Sequence, residues 1–318
     1  MDVLSDVLRC VRLSGAVLFR GEFSAPWSLT SPPGPELARI LLPAARHVVL
    51  LHIVASGQCW VRVGGRQPSL VQAGDMIMLP RADLHTMGSD PQLPGHSVAN
   101  LLEQGSPEAL PTIEYGGGGP PTRVVCAFLH CDDAPFNPMA VTLPTLIHVA
   151  ADGGQSQWLR ATTEQLVREA TAGGPGSGCL LARLTELLFV EALRRHIAEL
   201  PADQTGWLAA LNDPVVRRAL THLHAEPRRA WTVDDLARAA HSSRSVVADR
   251  FRMLLGLSPM SYLTHWRMQR AAELLRKHPE ATVAGVATEV GYGSEAAFSR
   301  AFKRIAGVSP TDWRLGRE

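Results

Sequence analysis

The stretch Glu289–Pro310, EVGYGSEAAFSRAFKRIAGVSP, is half apolar and punctuated by glycines. A looser copy, ARAAHSSRSVVADRFRMLLGLSP, precedes it at Ala237–Pro259. Thr232, Val233, Leu236, Ala237 and Ala240 match Thr282, Val283, Val286, Ala287 and Val290 at an offset of 50. Phe251, Gly256, Ser258, Pro259 and Tyr262 match Phe302, Gly307, Ser309, Pro310 and Trp313 at an offset of 51. One residue has therefore entered the turn, where His-Ser-Ser becomes Gly-Tyr-Gly-Ser. A matched set of cap, small residue, aromatic and Gly-x-Ser-Pro argues against an accidental repeat in a helical domain.

Each copy reads as helix, tight turn, helix. Thr232 and Thr282 are of the type that caps a helix N-terminus. Ala237 and Ala287 are small enough to let two helices cross closely. Gly291 and Gly293 are expected to supply turn conformations that a Cβ resists. Val247 with Phe251, and Phe298 with Phe302, stand four apart and face a core. Gly256 and Gly307 stop the second helices, and residues 260–278 form the long helix between the units. This is the helix-turn-helix arrangement, whose second helix lies in the major groove. The outward face offers Ala296, Ser299 and Arg300 in the later unit and Ser245, Ala248 and Asp249 in the earlier one as base-reading candidates. Arg300 has the donor fork for a bidentate bond to guanine. Arg244, Arg250, Arg252, Lys303 and Arg304 are placed for phosphates, which position without specifying. Two such helices about one DNA turn apart can occupy successive major grooves on one face of double-stranded DNA.

The charge balance agrees. Net charge over 318 residues is +1, yet from Asp213 onward 17 Lys and Arg face 11 Asp and Glu, net +6. The first 212 residues carry net −5. A basic C-terminal third behind an acidic remainder suggests a polyanion partner for the tail alone. No run of eighteen apolar residues occurs, which excludes a membrane-spanning helix. MDVLSDVLRC lacks the basic start and cleavage site of a secretory signal. The five cysteines (Cys10, Cys59, Cys126, Cys131, Cys179) are scattered, with no Cys-x-x-Cys pair. A cytoplasmic location is expected.

Upstream, residues 13–130 read as β. The short runs 13–20, 48–55, 58–63, 69–72, 76–80 and 123–130 are separated by Gly, Pro, Asn and Asp, as in a small sandwich or barrel. GGGGPP at Gly116–Pro121 is a loop rather than a phosphate cradle, because no helix with a Gly-Lys-Ser/Thr start follows. After His148 the period becomes helical over 156–171 and 179–200, with AGGPGSG between. The apolar stripe of the second helix, Leu180, Leu184, Leu187, Leu188, Leu193 and Ile197, reads as core and as a seam for a homodimer.

His52, Cys59 and His85 could form a small metal or effector site on adjacent strands, soft sulfur with imidazole suiting zinc or copper. The alternative is a core histidine and a buried apolar cysteine. Trp27, Trp60 and Phe128 could line a ligand pocket or belong to the core. Cys126 and Cys131 face opposite sides of a continuous strand, so a redox disulfide requires a bend at His130.

Residues 231–314 resemble the AraC-type DNA-binding domain, most specifically in GYGSEAAFSRAFKRIAGVSP. The resemblance implies a bipartite seven-helix module and a transcription regulator, often an activator, that works with RNA polymerase. Asp249 departs from it, standing where relatives commonly carry a basic residue. Residues 1–150 are similar to the cupin-type sensor half of such regulators, through His52-x6-Cys59-Trp60 and Ala73-Gly74-Asp75-x4-Pro80-x4-His85. The His-x-His of a cupin's first motif is missing, since His47 and His52 are five apart on one strand. The expected architecture is α+β and multidomain. It comprises a cupin-like β-barrel at 1–150, a helical linker pair at 151–212 and an all-α domain with two helix-turn-helix units at 213–318. The expected function is a sequence-specific DNA-binding transcription regulator, not an enzyme, answering an unknown small-molecule, metal or redox effector. The rivals are a cupin-type metal enzyme with a DNA-binding appendage and a redox- or metal-sensing regulator.

Overall fold

The computed structural model describes residues 2–10, 13–41, 47–102, 110–131, 143–151, 157–201 and 203–316. The chain divides into two compact units. Helix α1 (Val3–Cys10) opens it and belongs to the helical unit.

The β unit lies within Leu13–Asp132 and Pro144–Glu199. Its elements are β1 (Leu13–Ser24), β2 (Ser28–Ser31), α2 (Gly34–Leu41), β3 (His47–Ser56), β4 (Gln58–Val63), β5 (Ser69–Gln72) and β6 (Met76–Leu79). There follow β7 (His85–Gly88), β8 (His96–Ser97), α3 (Ala99–Leu102), β9 (Thr112–Gly116), β10 (Pro121–Cys131) and β11 (Ile147–Val149). Two sheets form, in the orders β11-β6-β3-β10-β1-β9 and β5-β4-β7-β2-β8. Alternation sends Phe19, Phe23, Leu50, Val54 and Val124 from the first sheet and Leu29, Val61, Val63 and Met87 from the second into one apolar core. The six runs expected as strands all are strands, several longer than their apolar stretch.

Two helices complete this unit, α4 (Gln157–Ala172) and α5 (Ser177–Glu199). They pack on each other and on β1. Gly15 makes the approach possible, since a Cβ there would stand 2.8 Å from the Ala182 carbonyl oxygen. The pair expected as a linker thus buries Leu181, Leu184, Leu188, Phe189 and Leu193 within the β unit's own body.

The helical unit comprises α6 (Trp207–Ala210), α7 (Pro214–Ala225), α8 (Val233–Ala239), α9 (Arg244–Leu255), α10 (Pro259–Lys277), α11 (Val283–Glu289), α12 (Glu295–Ala306) and α13 (Pro310–Arg314). Among the described residues, seven helices therefore follow Asp213, the number the resemblance implies. Helix α1 packs on α7 and α10, with Val3 and Val7 buried. No described helix is long and apolar enough to cross a membrane.

Candidate DNA interface and sensor cavity

The repeated sequence folds as a repeated structure because each punctuation mark satisfies a helix end. The Thr232 hydroxyl accepts from Asp235 N at 3.1 Å while the Asp235 carboxylate accepts from Thr232 N at 3.2 Å, a reciprocal cap. Thr282 does the first half of this for Gly285 N at 3.0 Å. Ser243 and Ser294 cap the two second helices, α9 and α12. Gly256 (φ 68°) and Gly307 (φ 82°) end them in the left-handed conformation. Two residues on, Ser258 and Ser309 cap the next helix, with Pro259 and Pro310 at its first position. Gly-x-Ser-Pro is thus a stop followed by a restart.

The turns need one left-handed residue each. In the later unit it is Gly291 (φ 85°), and in the earlier unit His241 (φ 52°). Gly293 has no such φ, and a Cβ added there would meet nothing within 4 Å, so the expectation that it supplies a special turn conformation is corrected. Val247, Phe251, Phe298 and Phe302 are fully buried, and Ala237 and Ala287 are buried beside them. Phe298 stacks obliquely on Phe302, which meets Trp313 edge-on.

The faces opposite these aromatics are the candidate DNA surfaces. Ala296 and Arg300 are exposed and Ser299 half-buried on α12, while Ser245 and Asp249 are exposed and Ala248 half-buried on α9. Charge separates the two. On α9, Arg244 meets Asp234 at 3.4 Å, Arg252 meets Asp249 at 3.6 Å, and Arg250 pairs with Asp213, the residue that caps α7. Among the described residues, no carboxylate stands within ion-pair distance of Arg300, Lys303 or Arg304 on α12. Arg250, expected as a phosphate contact, thus shares its charge with Asp213 while its side chain stays 42% exposed.

A second pairing ties the two halves of the helical unit together. Arg228, in the loop before α8, donates Nε to the Glu289 carbonyl at 2.7 Å and ion-pairs with the Glu289 carboxylate. Arg267 on α10 donates to the carbonyls of Pro227 (2.7 Å) and Arg229 (2.9 Å). Nothing in the repeat signals this brace, because its residues lie outside the matched positions.

In the β unit, β3 and β10 set His52 directly opposite Cys126. His52 Nδ1 lies 3.0 Å from Cys126 Sγ, and His52 Nε2 lies 3.0 Å from His85 Nε2. His85 Nδ1 is 2.9 Å from the Asp83 carbonyl, which only accepts, so Nδ1 carries the proton. The remaining protons follow: His52 Nε2–H donates to His85, and the Cys126 thiol donates to His52 Nδ1. Burial holds His52 well below its ordinary value, with His85 adding to this, and lowers His85 to about 4. Burial also raises Cys126 far above the usual thiol range and Cys59 to about 12, so both are neutral thiols.

The sequence paired His52 and His85 with Cys59; the fold brings Cys126 there instead. Cys59 is buried, yet it is not among the residues lining the adjoining cavity. Zinc or copper does not fit this set. Cys126 and His85 sit at opposite nitrogens of the same imidazole, so the three cannot close on one ion. Among the described residues no group of three or more His, Cys, Asp or Glu could hold a metal. The Cys131 and His130 side chains of the redox expectation lie outside the described residues. Trp27 lines the cavity, whereas Trp60 and Phe128 do not. Asp75, from the cupin-like motif, is structural: its carboxylate accepts from Gln72 N, Ala151 N and His148 Nε2 at 2.7–3.0 Å.

Comparison with known proteins matches both halves. A family described as Cupin matches residues 2–198, and one described as Helix-turn-helix domain matches 236–316. An AraC-like transcription regulator of Streptomyces lividans is 36% identical, covering 99% of this chain and 98% of its own. The HTH-type transcriptional regulator AlkR of Acinetobacter baylyi is 30% identical, covering 85% and 89%. The solved DNA-binding domain of AdpA in complex with a target DNA is 30% identical over 33% of this chain and 92% of that one, with a TM-score of 0.31. The relatives are regulators rather than enzymes. The chain belongs to the AraC-type family of DNA-binding transcription regulators, with an N-terminal cupin domain.

Proposed function

We propose that the chain is an effector-responsive regulator whose two helix-turn-helix units read successive major-groove segments, with the second unit carrying most of the base discrimination. The supporting observation is the charge contrast. Among the described residues, Arg300, Lys303 and Arg304 have no carboxylate partner, whereas each arginine of α9 is matched to a carboxylate. Exposed ion pairs cost little to break, so α9 can still dock on phosphates. Asp249, however, places a negative charge where guanine and thymine offer acceptors, and suits an amino group, that of cytosine best. The test is operator binding by the full chain with single base changes under each helix. Changes under α12 should cost about 1–3 kcal/mol each and changes under α9 clearly less; equal costs under both would overturn the ranking.

The effector reading rests on the barrel cavity beside His52 and His85. An effector there would change how the DNA-binding units are presented, on a protein working in the cytoplasm with RNA polymerase. Leu180 and Leu187, one above the other on α5 and about half exposed, support a homodimer. Leu187→Asp is expected to leave a monomer in sedimentation if that face is the seam.

A further inference from the structure

Helix α5 turns a second face away from the core of its own unit. Positions 180, 183, 187, 190, 194 and 197 recur at alternate spacings of three and four, the a and d positions of a two-helix seam. Leu180, Leu187, Val190 and Ile197 make that row apolar, and Arg183 and Arg194 complete it. Leu180 and Leu187 are 40% and 48% exposed, while Leu181, Leu184, Leu188 and Leu193 are buried on the other side of the helix.

Read from either end, this face is nearly the same. About a midpoint between Leu188 and Phe189, Leu180 answers to Ile197, Arg183 to Arg194, Glu186 to Glu191 and Leu187 to Val190. The side chains repeat the symmetry. Arg183 pairs with Glu186 at 2.8 Å and Arg194 with Glu191 at 3.3 Å, and both guanidinium side chains are 70% exposed. A two-fold axis through that midpoint, perpendicular to the helix, therefore carries like onto like. Contact between identical subunits about such an axis needs one patch that complements itself.

Laid antiparallel on a second copy, the apolar positions meet. Leu187 faces Val190 of the second copy, and Leu180 faces its Ile197. Each end of the seam gathers Arg183 and Glu186 of one copy with Arg194 and Glu191 of the other, so two positive charges meet two negative ones. The arginine stems cover apolar surface on the way. A parallel pairing lacks this balance. Glu186 and Glu191 hold g and e positions, which lie side by side across a parallel seam, and like charges so placed oppose association.

We propose that α5 pairs with α5 of a second copy of this chain in an antiparallel seam, about a two-fold axis between Leu188 and Phe189. The proposal rests on the homodimer reading and gives that dimer its contact helix and register. From Leu180 to Ile197 the seam is ~26 Å long at 1.5 Å per residue.

The test places thiols at the two ends of the seam. The full chain carries Cys179→Ser, because that thiol is exposed, and this chain alone is the blank. To it are added Leu180→Cys, Ile197→Cys, or both, and each product is treated with a short bismaleimide and read by denaturing electrophoresis. In the antiparallel seam position 180 of one copy stands beside 197 of the other and ~26 Å from 180. Only the double variant is therefore expected to crosslink into dimers. Crosslinks in either single variant mean a parallel seam and overturn the proposal. Crosslinks in none, from a chain that sediments as a dimer, also overturn it and leave the homodimer reading standing. A natural chain that sediments as a monomer removes both. Should the double variant fail to fold, Arg183→Glu with Arg194→Glu is read instead, at two exposed positions. It leaves four carboxylates at each end of the seam and should raise the dimer dissociation constant by about tenfold or more. An unchanged constant overturns the proposal.

Discussion

Arg300 and Lys303 lie three residues apart on α12, exposed and without a carboxylate partner among the described residues, yet their chemistry predicts different losses. A guanidinium fork on guanine gives discrimination, so Arg300→Ala should cost about 1–3 kcal/mol at one base position and little elsewhere. Uniform loss across sequences would instead make Arg300 a phosphate contact. Lys303→Ala should weaken all sequences alike and flatten the salt slope by about one. His224 carries a different residue-scale effect. It is buried against Trp266, takes the Tyr262 hydroxyl proton at 2.9 Å, and is lowered from 6.5 to about 3 by burial and then by Arg270. The Asp6 carboxylate, 3.8 Å from Nδ1, does not reverse this; burial raises its own pKa. Between pH 6.5 and about 3 the unfolded chain binds a proton here that the folded chain refuses. Stability therefore falls as pH falls through that window, by up to roughly 1.4 kcal/mol per pH unit. His224→Phe should cost about 1 kcal/mol at neutral pH through the lost hydrogen bond and flatten the acid limb of urea-unfolding midpoints.

At the scale of elements, the two turns ask different things of one position. Both use a left-handed residue, but His241 does so with a Cβ and Gly291 cannot. A Cβ on Gly291 would stand 2.7 Å from Arg228 Cα and 2.8 Å from its carbonyl oxygen. The glycine serves the brace as much as the turn. Gly291→Ala should therefore destabilise by roughly 1–3 kcal/mol, whereas His241→Gly stays within about 1 kcal/mol. Urea unfolding of each variant checks the contrast. Arg228→Ala removes the brace without touching either turn, and should weaken a two-segment operator more than it weakens one segment alone.

For the whole molecule, the two compact units have separate cores. Separate cores permit separate unfolding transitions. Saturating operator DNA should raise one of them, by about 2.7 kcal/mol at a hundredfold excess over Kd, and leave the other in place. A single transition that shifts as one would mean the units unfold together. The net charge of +1 conceals the same division, because the basic excess lies after Asp213.

The two helix-turn-helix units and the helix between them were legible in the sequence nearly to the residue, whereas α1, α6 and α7 of the same unit were not. The caps, stops and aromatic pairs of the repeat act within one turn of helix, so they are written locally and twice over. Six strands were legible there too, because their alternation is local, but β2, β7, β8, β9 and β11, each five residues or fewer, were not. The cluster around His52 came from tertiary pairing alone. Cys126 reaches His52 through strand pairing across 74 residues, and no spacing rule announces which strands become neighbours. The same holds for the Arg228 brace. A close backbone approach is defined by what surrounds it, and those surroundings come from distant parts of the chain.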